Sequence, residues 1–188
     1  SISDNGIGIP SDQIETAFMR HATSKIQDFD DLYRSYTMGF RGEALASIIA
    51  VAKVDMKSKS EDEDLGVHIQ YENSKLVKKS NLAMNTGTII SVKDLFKNIP
   101  VRHRFLKSNT TEANHITDLV GKLTLANPNI SLKYIKDKTI LFNINSEDNH
   151  IEKIRKIFGN DLAKSLIKSE FQTDNFKVMA YITNNTYY

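Results

Sequence analysis

The sequence predicts an α+β fold in which helices pack against a mainly antiparallel sheet. Between positions 51 and 92, stretches of alternating apolar and polar residues follow one another through short turns, which is typical of hairpin-connected strands. Apolar residues recur at helical spacing within 12–20, 43–50 and 110–126. Because both patterns occur in one region of the chain, they indicate the α+β class.

The composition is that of an ordinary globular protein, with 40% hydrophobic and 26% charged residues in a chain of 188. A formal net charge of +2 provides no chain-wide attraction for nucleic acid, so any such binding has to rest on a local patch. The absence of cysteine excludes disulfides and thiolate metal sites and fits a reducing compartment. No apolar run approaches the roughly 18–20 residues that span a bilayer, so we expect no membrane partner.

A glycine-rich loop follows a short first strand that ends at Asp4. The dipeptide Asn5-Gly6 by itself favours a hairpin, but Gly8 and the helix predicted for 12–20 favour a glycine-lined loop. Ser11 is a candidate cap for that helix. Its buried face would consist of Ile14, Ala17 and Phe18.

A second glycine loop leads directly into the helix predicted for 43–50. Gly39 and Gly42 flank Phe40 and Arg41, and glycine permits positive φ and close approach of a ligand. The first amides of a helix have no intrahelical partner, and the helix dipole also favours anionic oxygen there. We interpret this turn as a phosphate site, with a glycine hinge before a core helix as the alternative.

The segment 22–38, between the two glycine loops, contains only short and weakly apolar pieces, among them a short helix predicted for 29–36. A segment with few buried contacts belongs to the low-stability part of a fold. Its composition therefore indicates a mobile lid, with an ordinary surface connection as the alternative.

The strands of the predicted sheet come next in the chain. The turn at Asn73-Ser74 and the β-branched run after Gly87 are its clearest features, and 61–64 reads as a solvated acidic loop. The four strands are expected at Val51–Ser58, around Val67, Ile69 and Tyr71, at Leu76-Val77, and over 86–92.

A basic cluster lies between 97 and 107. Its cations could contact phosphate, but a solvated helix face is the alternative that its composition favours. Its members considered as possible DNA contacts are Lys97, Arg102, Arg104 and Lys107.

The remainder of the chain reads as a helix, a hairpin and further helical pieces. Asn109 and Glu112 fit a capping box for the helix 110–126, and Asp137-Lys138 is the expected turn of a hairpin. Helical pieces are expected at 151–158 and 161–168, followed by a strand at 176–183. The buried stripe of the long helix would be Ile116, Leu119, Val120 and Leu123.

The polar run at 146–149 is the expected domain boundary. We therefore expect a first domain over 1–146, incomplete at its N-terminus, and the beginning of a second over 147–188. The missing starting Met, and an end at 184–188 that looks like the middle of an element, suggest a piece of a longer protein.

Three motifs resemble the MutL family of DNA mismatch repair proteins. They are the stretches from Asp4 to Ile9, from Arg20 to Lys25 and from Gly39 to Ile48, and Gly87-Thr88 and the run from Asp94 to Arg102 extend the likeness in the same order. The first motif marks the whole GHKL ATPase superfamily, whereas the other two together are specific to MutL. The resemblance implies a GHKL (Bergerat-type) ATPase sandwich followed by the start of a transducer-like α/β domain.

The resemblance also implies roles for individual residues in binding ATP. Asp4 would accept a hydrogen bond from the exocyclic amine of adenine, and Thr88 would support the base through its hydroxyl, often by way of water. Gly6 and Gly8 would let the backbone lie against base and sugar. The remaining positions are the lid contacts Thr23, Ser24 and Lys25 and the phosphate loop Gly39, Phe40, Arg41, Gly42 and Glu43. A solvated lysine at Lys25 and a structural ion pair at Arg41 are the alternatives there.

The function implied by the resemblance is that of the ATP-binding region of a mismatch repair protein, with Mg²⁺ bound alongside ATP. In the family, ATP orders the lid and drives dimerisation, so the expected partners are a second copy, a mismatch-recognition protein of the MutS type, and DNA. The expected location is the cytoplasm, or the nucleus in a eukaryote.

The family's catalytic glutamate and Mg²⁺-binding asparagine precede the first motif and are absent from this sequence, so no catalytic residue or metal ligand is assigned. The whole protein would be a weak ATPase. The alternatives are a non-hydrolysing scaffold that binds DNA or partners, and another GHKL ATPase such as a topoisomerase subunit.

Overall fold

The structure is a computed structural model that describes residues 1–20 and 42–184. It divides into two compact units, Ser1–Leu106 and Lys107–Tyr188, and each is described by itself. The predicted lid at 22–38 lies outside the described residues. The domain boundary predicted at 146/147 falls inside unit 2 and stays a prediction.

Within residues 1–20 and 42–106, the strands of unit 1 are β1 (Ile2–Asp4), β2 (Lys53–Lys59), β3 (Gly66–Glu72), β4 (Lys75–Leu82) and β5 (Gly87–Lys93). The helical elements over the same residues are the 3-10 helix Thr16–Phe18, α1 (Ala44–Val51) and α2 (Pro100–His103). The strands form an antiparallel sheet in the order β1-β5-β2-β3-β4. One face of the sheet is covered by α1 and by the 3-10 helix.

Strict alternation of apolar residues explains why β2 and β3 form the centre of the core. Val54 and Met56 on β2 and Val67 and Ile69 on β3 all point to the face that carries α1. A two-residue period places every second side chain on the same face of a strand. The core consists of Ile14, Phe18, Ile49, Val54, Met56, Val67, Ile69 and Tyr71. The predicted antiparallel α+β arrangement is confirmed.

The turn residues also behave as predicted. Asn73 and Ser74 have φ of 49° and 62°, and Asp137 and Lys138 have φ of 50° and 66°. Both central residues of a type I′ turn need positive φ, and Asn and Asp tolerate it better than most other residues.

The α-helix predicted for 12–20 is wrong. Only the 3-10 helix forms there, although Ile14 and Phe18 are buried as expected. The Ser11 amide donates to the Glu63 carboxylate at 2.9 Å, and this long-range contact fixes the start of the segment. Hydrogen bonds from Ser11 hold the pKa of the Glu63 carboxyl below its usual range, so Glu63 is a bonded member of the acidic loop that was predicted to be solvated.

Helix α1 is tied to the end of the sheet at which β2 begins. The Ile49 carbonyl accepts from the Ser74 amide at 3.1 Å, and the Val51 carbonyl accepts from the Phe96 amide at 2.7 Å. The side chain of Asn98 donates to the Ala50 carbonyl at 3.1 Å. These bonds satisfy the last carbonyls of the helix, which have no intrahelical partner.

Unit 2 contains two separate β-hairpins and three helices. The helices are α3 (Asn109–Ala126), α4 (His150–Phe158) and α5 (Asn160–Ser165). The strands are β6 (Leu132–Lys136), β7 (Thr139–Ile144), β8 (Leu166–Gln172) and β9 (Lys177–Thr183). Helix α4 packs against β7, and both long helices have caps that accept from the backbone.

Three predictions for unit 2 are wrong. Ser108, not Asn109, caps α3 through the Thr111 amide, while Glu112 accepts from the Lys107 amide. Ile116 and Leu119 are 52% and 56% exposed instead of buried. The helix predicted for 161–168 ends at Ser165, because the following residues pair with β9 as strand β8.

Lys153 is the largest side chain that unit 2 buries completely among its described residues, at 2% exposure. Its Nζ donates to the carbonyl of Pro128 and, at 3.2 Å, to that of Ser146. The lysine therefore joins the loop after α3 to the loop before α4. Leaving a buried carbonyl without a hydrogen-bond donor lowers the free energy of unfolding. The two bonds from Lys153 are therefore expected to contribute to the stability of unit 2.

Replacing Lys153 with Met should lower the stability of unit 2 by about 2–4 kcal/mol, since the stem stays packed but two carbonyls lose a donor. Chemical denaturation combined with hydrogen exchange of unit 2 amides measures the change. The control is Lys164→Met on the exposed face of α5, which should cost less than about 0.5 kcal/mol. Equal effects of the two substitutions would contradict the role of the Lys153 contacts.

Candidate functional site

Three polar side chains form a row across one end of the unit 1 sheet. Asp4 on β1 pairs with Thr88 on β5, and Thr88 pairs with Ser58 on β2. Directly paired residues point to the same face of a sheet. Ser58 continues the alternation of Val54 and Met56, so the row lies on the face that carries α1. We refer to Asp4, Ser58 and Thr88 as the polar corner.

The carboxylate of Asp4 is held by backbone amides. Its Oδ1 accepts from the Gly6 amide at 2.9 Å and from the Thr88 amide at 3.3 Å. No described residue donates to Oδ2, and the side chain is exposed. Asp4 therefore offers a fixed, negatively charged acceptor to a ligand that carries a hydrogen-bond donor.

Gly8 and Gly87 allow the backbone segments of this corner to touch. A Cβ on Gly8, whose φ is 73°, would lie 1.9 Å from the carbonyl oxygen of Lys59. A Cβ on Gly87, whose φ is 128°, would lie 2.3 Å from the carbonyl oxygen of Asp4. Both positions thus require glycine for the protein's own packing, whereas the family likeness had suggested space for a ligand at Gly8.

Ser58 connects the glycine loop to β5. Its Oγ accepts from the Ile9 amide at 2.9 Å and lies 2.9 Å from Thr88 Oγ1 and 3.2 Å from the Gly87 carbonyl oxygen. Sequence reasoning missed this residue. The signal was a polar side chain at a position that alternation assigns to the buried face.

A cavity of about 290 Å³ borders the glycine loop beside the polar corner. It is lined by Asn5, Gly6, Ile7, Glu61 and Thr86. A second cavity, of about 220 Å³, lies at the opposite end of the sheet, beside Lys53 and Glu72. Lys53 pairs with Glu72 there at 3.0 Å, so these charges satisfy one another.

Two members of the predicted phosphate loop are described, and they lie at the start of α1. Gly42 has a positive φ of 58°, as its role in a tight turn predicts. Glu43 is the N-cap residue, so the helix begins one residue later than predicted. The other members and the lid contacts lie outside the described residues: Thr23, Ser24, Lys25, Gly39, Phe40 and Arg41.

Two cations of the predicted basic cluster have partners close to them in the sequence. Lys97 lies 3.6 Å from the Asp94 carboxylate, and the Arg102 guanidinium lies 5.9 Å from the centre of the Phe96 ring. Arg104 follows the short helix α2 and is exposed. In unit 2, Lys107 is also exposed. Contact of these cations with DNA stays a prediction.

Comparisons with known proteins match nearly the whole chain to MutL proteins. The chain is 44% identical over 185 residues to the DNA mismatch repair protein MutL of Caldanaerobacter subterraneus subsp. tengcongensis, a match that covers 98% of the chain and 31% of that protein. It is 42% identical over 183 residues to MutL of Clostridium tetani, covering 97% of the chain and 30% of that protein. The chain thus spans less than a third of the length of these relatives. No protein-family model matches it.

Solved structures share the fold. The Aquifex aeolicus MutL ATPase domain complexed with ADP superposes with a TM-score of 0.73 at 23% identity, covering 97% of this chain and 63% of that one. The N-terminal domain of a DNA repair protein gives 0.67 at 25% identity, covering 90% and 50%. The predicted GHKL-type arrangement is confirmed. Within the described residues, no helix has the length and apolar character needed to cross a membrane.

Replacing Gly8 with Ala should destabilise unit 1 by at least about 2 kcal/mol, because positive φ and a backbone clash add together. Gly6→Ala in the same loop is the matched control, since its Cβ would meet a side-chain atom, Asp4 Oδ1, at 3.0 Å and no backbone atom within that distance. Chemical denaturation of both variants measures the difference. A loss for Gly8→Ala no larger than that for Gly6→Ala would refute the close contact with Lys59.

Proposed function

Because the chain belongs to the MutL family of DNA mismatch repair proteins, we propose that it forms part of the ATP-binding region of such a protein. The observation that carries the proposal is the polar corner, in which two amides fix the carboxylate of Asp4 beside Thr88. Because the protein's own amides hold this carboxylate, its orientation would need little further ordering on binding.

The polar corner is the proposed adenine side of the site. Asp4 Oδ2 would accept a hydrogen bond from the exocyclic amine, and Thr88 would support the base beside it. The two amide bonds to Oδ1 favour one orientation of the carboxylate, in which Oδ2 would face the base. Gly6 and Gly8 complete this side as the loop against which base and sugar would lie.

Helix α1 is the proposed phosphate side. Its C-terminal turn is bonded at the end of the sheet where β2 begins, and Gly42 and Glu43 lie at its other end. The first amides of a helix suit phosphate oxygens, and in this proposal they would face the phosphates of a nucleotide whose base lies at the polar corner. Gly39, Phe40 and Arg41 would extend this loop, and Thr23, Ser24 and Lys25 would contact the ligand from the lid.

Mg²⁺ would accompany ATP in this proposal. Over residues 1–20 and 42–184, no group of three His, Asp or Glu side chains could hold a metal, and we assign the ion no ligand in this chain. When bound, it would neutralise phosphate charge. No residue of this chain is assigned a catalytic role.

The whole protein is proposed to be a cytoplasmic, weak ATPase that acts in mismatch repair. Nucleotide binding would order the lid and bring two copies together, and a mismatch-recognition protein of the MutS type would be a further partner. A ligand shifts such an equilibrium only if it contacts one state more than the other. The lid residues meet that requirement in the proposal, since they would gain contacts only with the nucleotide bound.

DNA is the remaining proposed partner. The supporting observation is the exposure of Arg104 and Lys107, next to Lys97 and Arg102 in the sequence. A scaffold that binds DNA without nucleotide, or a topoisomerase-type ATPase, finds no support in the comparisons, whose relatives carry the MutL name.

Replacing Asp4 with Asn should weaken binding of ATP by about 10- to 100-fold. The Asn oxygen can still accept from Gly6 and Thr88, but its NH₂ group would then face the adenine amine. Calorimetry with the protein at its natural length, with ATP and Mg²⁺, measures the change. Asp12→Asn, at an exposed position of unit 1, should leave the affinity unchanged. Unchanged affinity in Asp4→Asn would remove Asp4 from the site.

Replacing Arg104 with Ala should weaken binding of duplex DNA and lower the slope of log Kd against log salt by about 1, as expected for one lost phosphate contact. Lys164→Ala removes the same charge from an exposed position in unit 2 and is the control. If both variants change the salt slope equally, the effect belongs to net charge and Arg104 makes no DNA contact.

A further inference from the structure

The hydroxyl of Ser58 is surrounded by three hydrogen-bonding groups at the centre of the polar corner. The side chain is 1% exposed, so water cannot replace a missing partner. Its Oγ lies 2.9 Å from the Ile9 amide nitrogen, 2.9 Å from Thr88 Oγ1 and 3.2 Å from the Gly87 carbonyl oxygen.

The positions of the hydrogens follow from what each group can do. The Ile9 amide can only donate, and the Gly87 carbonyl can only accept. A serine hydroxyl has one hydrogen and two lone pairs. All three contacts are satisfied together only if Ser58 donates to Gly87 and accepts from both Ile9 and Thr88. If Ser58 donated to Thr88 instead, the contact with Gly87 would be lost.

In this arrangement the hydroxyl hydrogen of Thr88 points at Ser58. The lone pairs of Thr88 Oγ1 are then the only groups that its hydroxyl can offer to a ligand. Asp4, the neighbour of Thr88 in the row, is also an acceptor when ionised. Asp4, which is exposed, and Thr88, which is half-buried, would then both reject a ligand carbonyl and both accept from a ligand amine.

We propose that Ser58 is a positioning residue that makes Thr88 an obligate acceptor and thereby sets the preference for an amino-substituted purine over an oxo-substituted one. The proposal rests on the function proposed above, because it concerns the same site. Ser58 itself touches no ligand. It acts through Thr88 and through the glycine loop, which it holds by the Ile9 amide.

The ligands for the test are ATP and inosine triphosphate, which differ by an amine against a carbonyl at the purine 6-position and by an acceptor against an N–H donor at the neighbouring N1. In Ser58→Ala, the Thr88 hydroxyl is free to turn and donate to the carbonyl. We expect the ratio of the two affinities to fall about tenfold, as for one hydrogen bond. Ser58→Thr keeps the hydroxyl and should keep the ratio. Calorimetry on the protein at its natural length, with Mg²⁺ present, provides both affinities.

Ser60→Ala is the control for removing a buried serine hydroxyl near the same strand end, and it should leave the ratio unchanged. Ser58→Cys, which keeps an atom at the Oγ position but accepts only weakly from the Thr88 hydroxyl, serves if Ser58→Ala does not fold, and its ratio should also fall. A folded Ser58→Ala or Ser58→Cys protein with the unchanged ratio would overturn the inference. Failure of the unsubstituted protein to bind ATP would instead overturn the proposed function, and this inference with it.

Discussion

The close contact of three strand ends at the polar corner is the constraint on which the site depends. Gly8 can lie against the Lys59 carbonyl, and Gly87 against the Asp4 carbonyl, only because neither glycine has a Cβ. These contacts bring β1, β5 and β2 to the same end of the sheet, where their paired residues Asp4, Thr88 and Ser58 share one face. The functional groups are therefore positioned by backbone packing, and their side chains need to make only short, local bonds.

Local patterns predicted the sheet well because one of its faces is buried. A two-residue period of apolar side chains can satisfy burial only as a strand, and the Asn73-Ser74 turn then determines how β3 meets β4. The same patterns could not bring Asp4 and Thr88 together, since 84 residues separate them. Only the likeness to a known family connected them, and it assigned no role to Ser58. A search for periodic apolar residues does not identify a buried serine. It is found only when a polar residue is noticed at a position that the pattern assigns to the apolar face.

Two of the failures have the same cause, which is that pairing with other segments overrode local helical preference. The segment 12–20 has a helical pattern, yet the bond from Ser11 to Glu63 fixes its start and leaves only a 3-10 turn. Leu166 begins a strand because β9 offers it a partner, although the residues before it form a helix. Ile116 and Leu119 show the limit of periodicity, which identifies an apolar face but not what covers it.

The hydrogen bonds of the polar corner also restrict how a nucleotide could drive a conformational change. Asp4, Ser58 and Thr88 are held by hydrogen bonds within the protein, and in the proposed function these bonds would persist when the nucleotide binds. A group that is the same in both states contributes affinity and specificity but cannot shift the equilibrium between them. In the proposed protein, different parts of the chain would therefore select the base and respond to the phosphates. The end of the sheet with the polar corner would select the base. The residues that contact the phosphates would drive the conformational change.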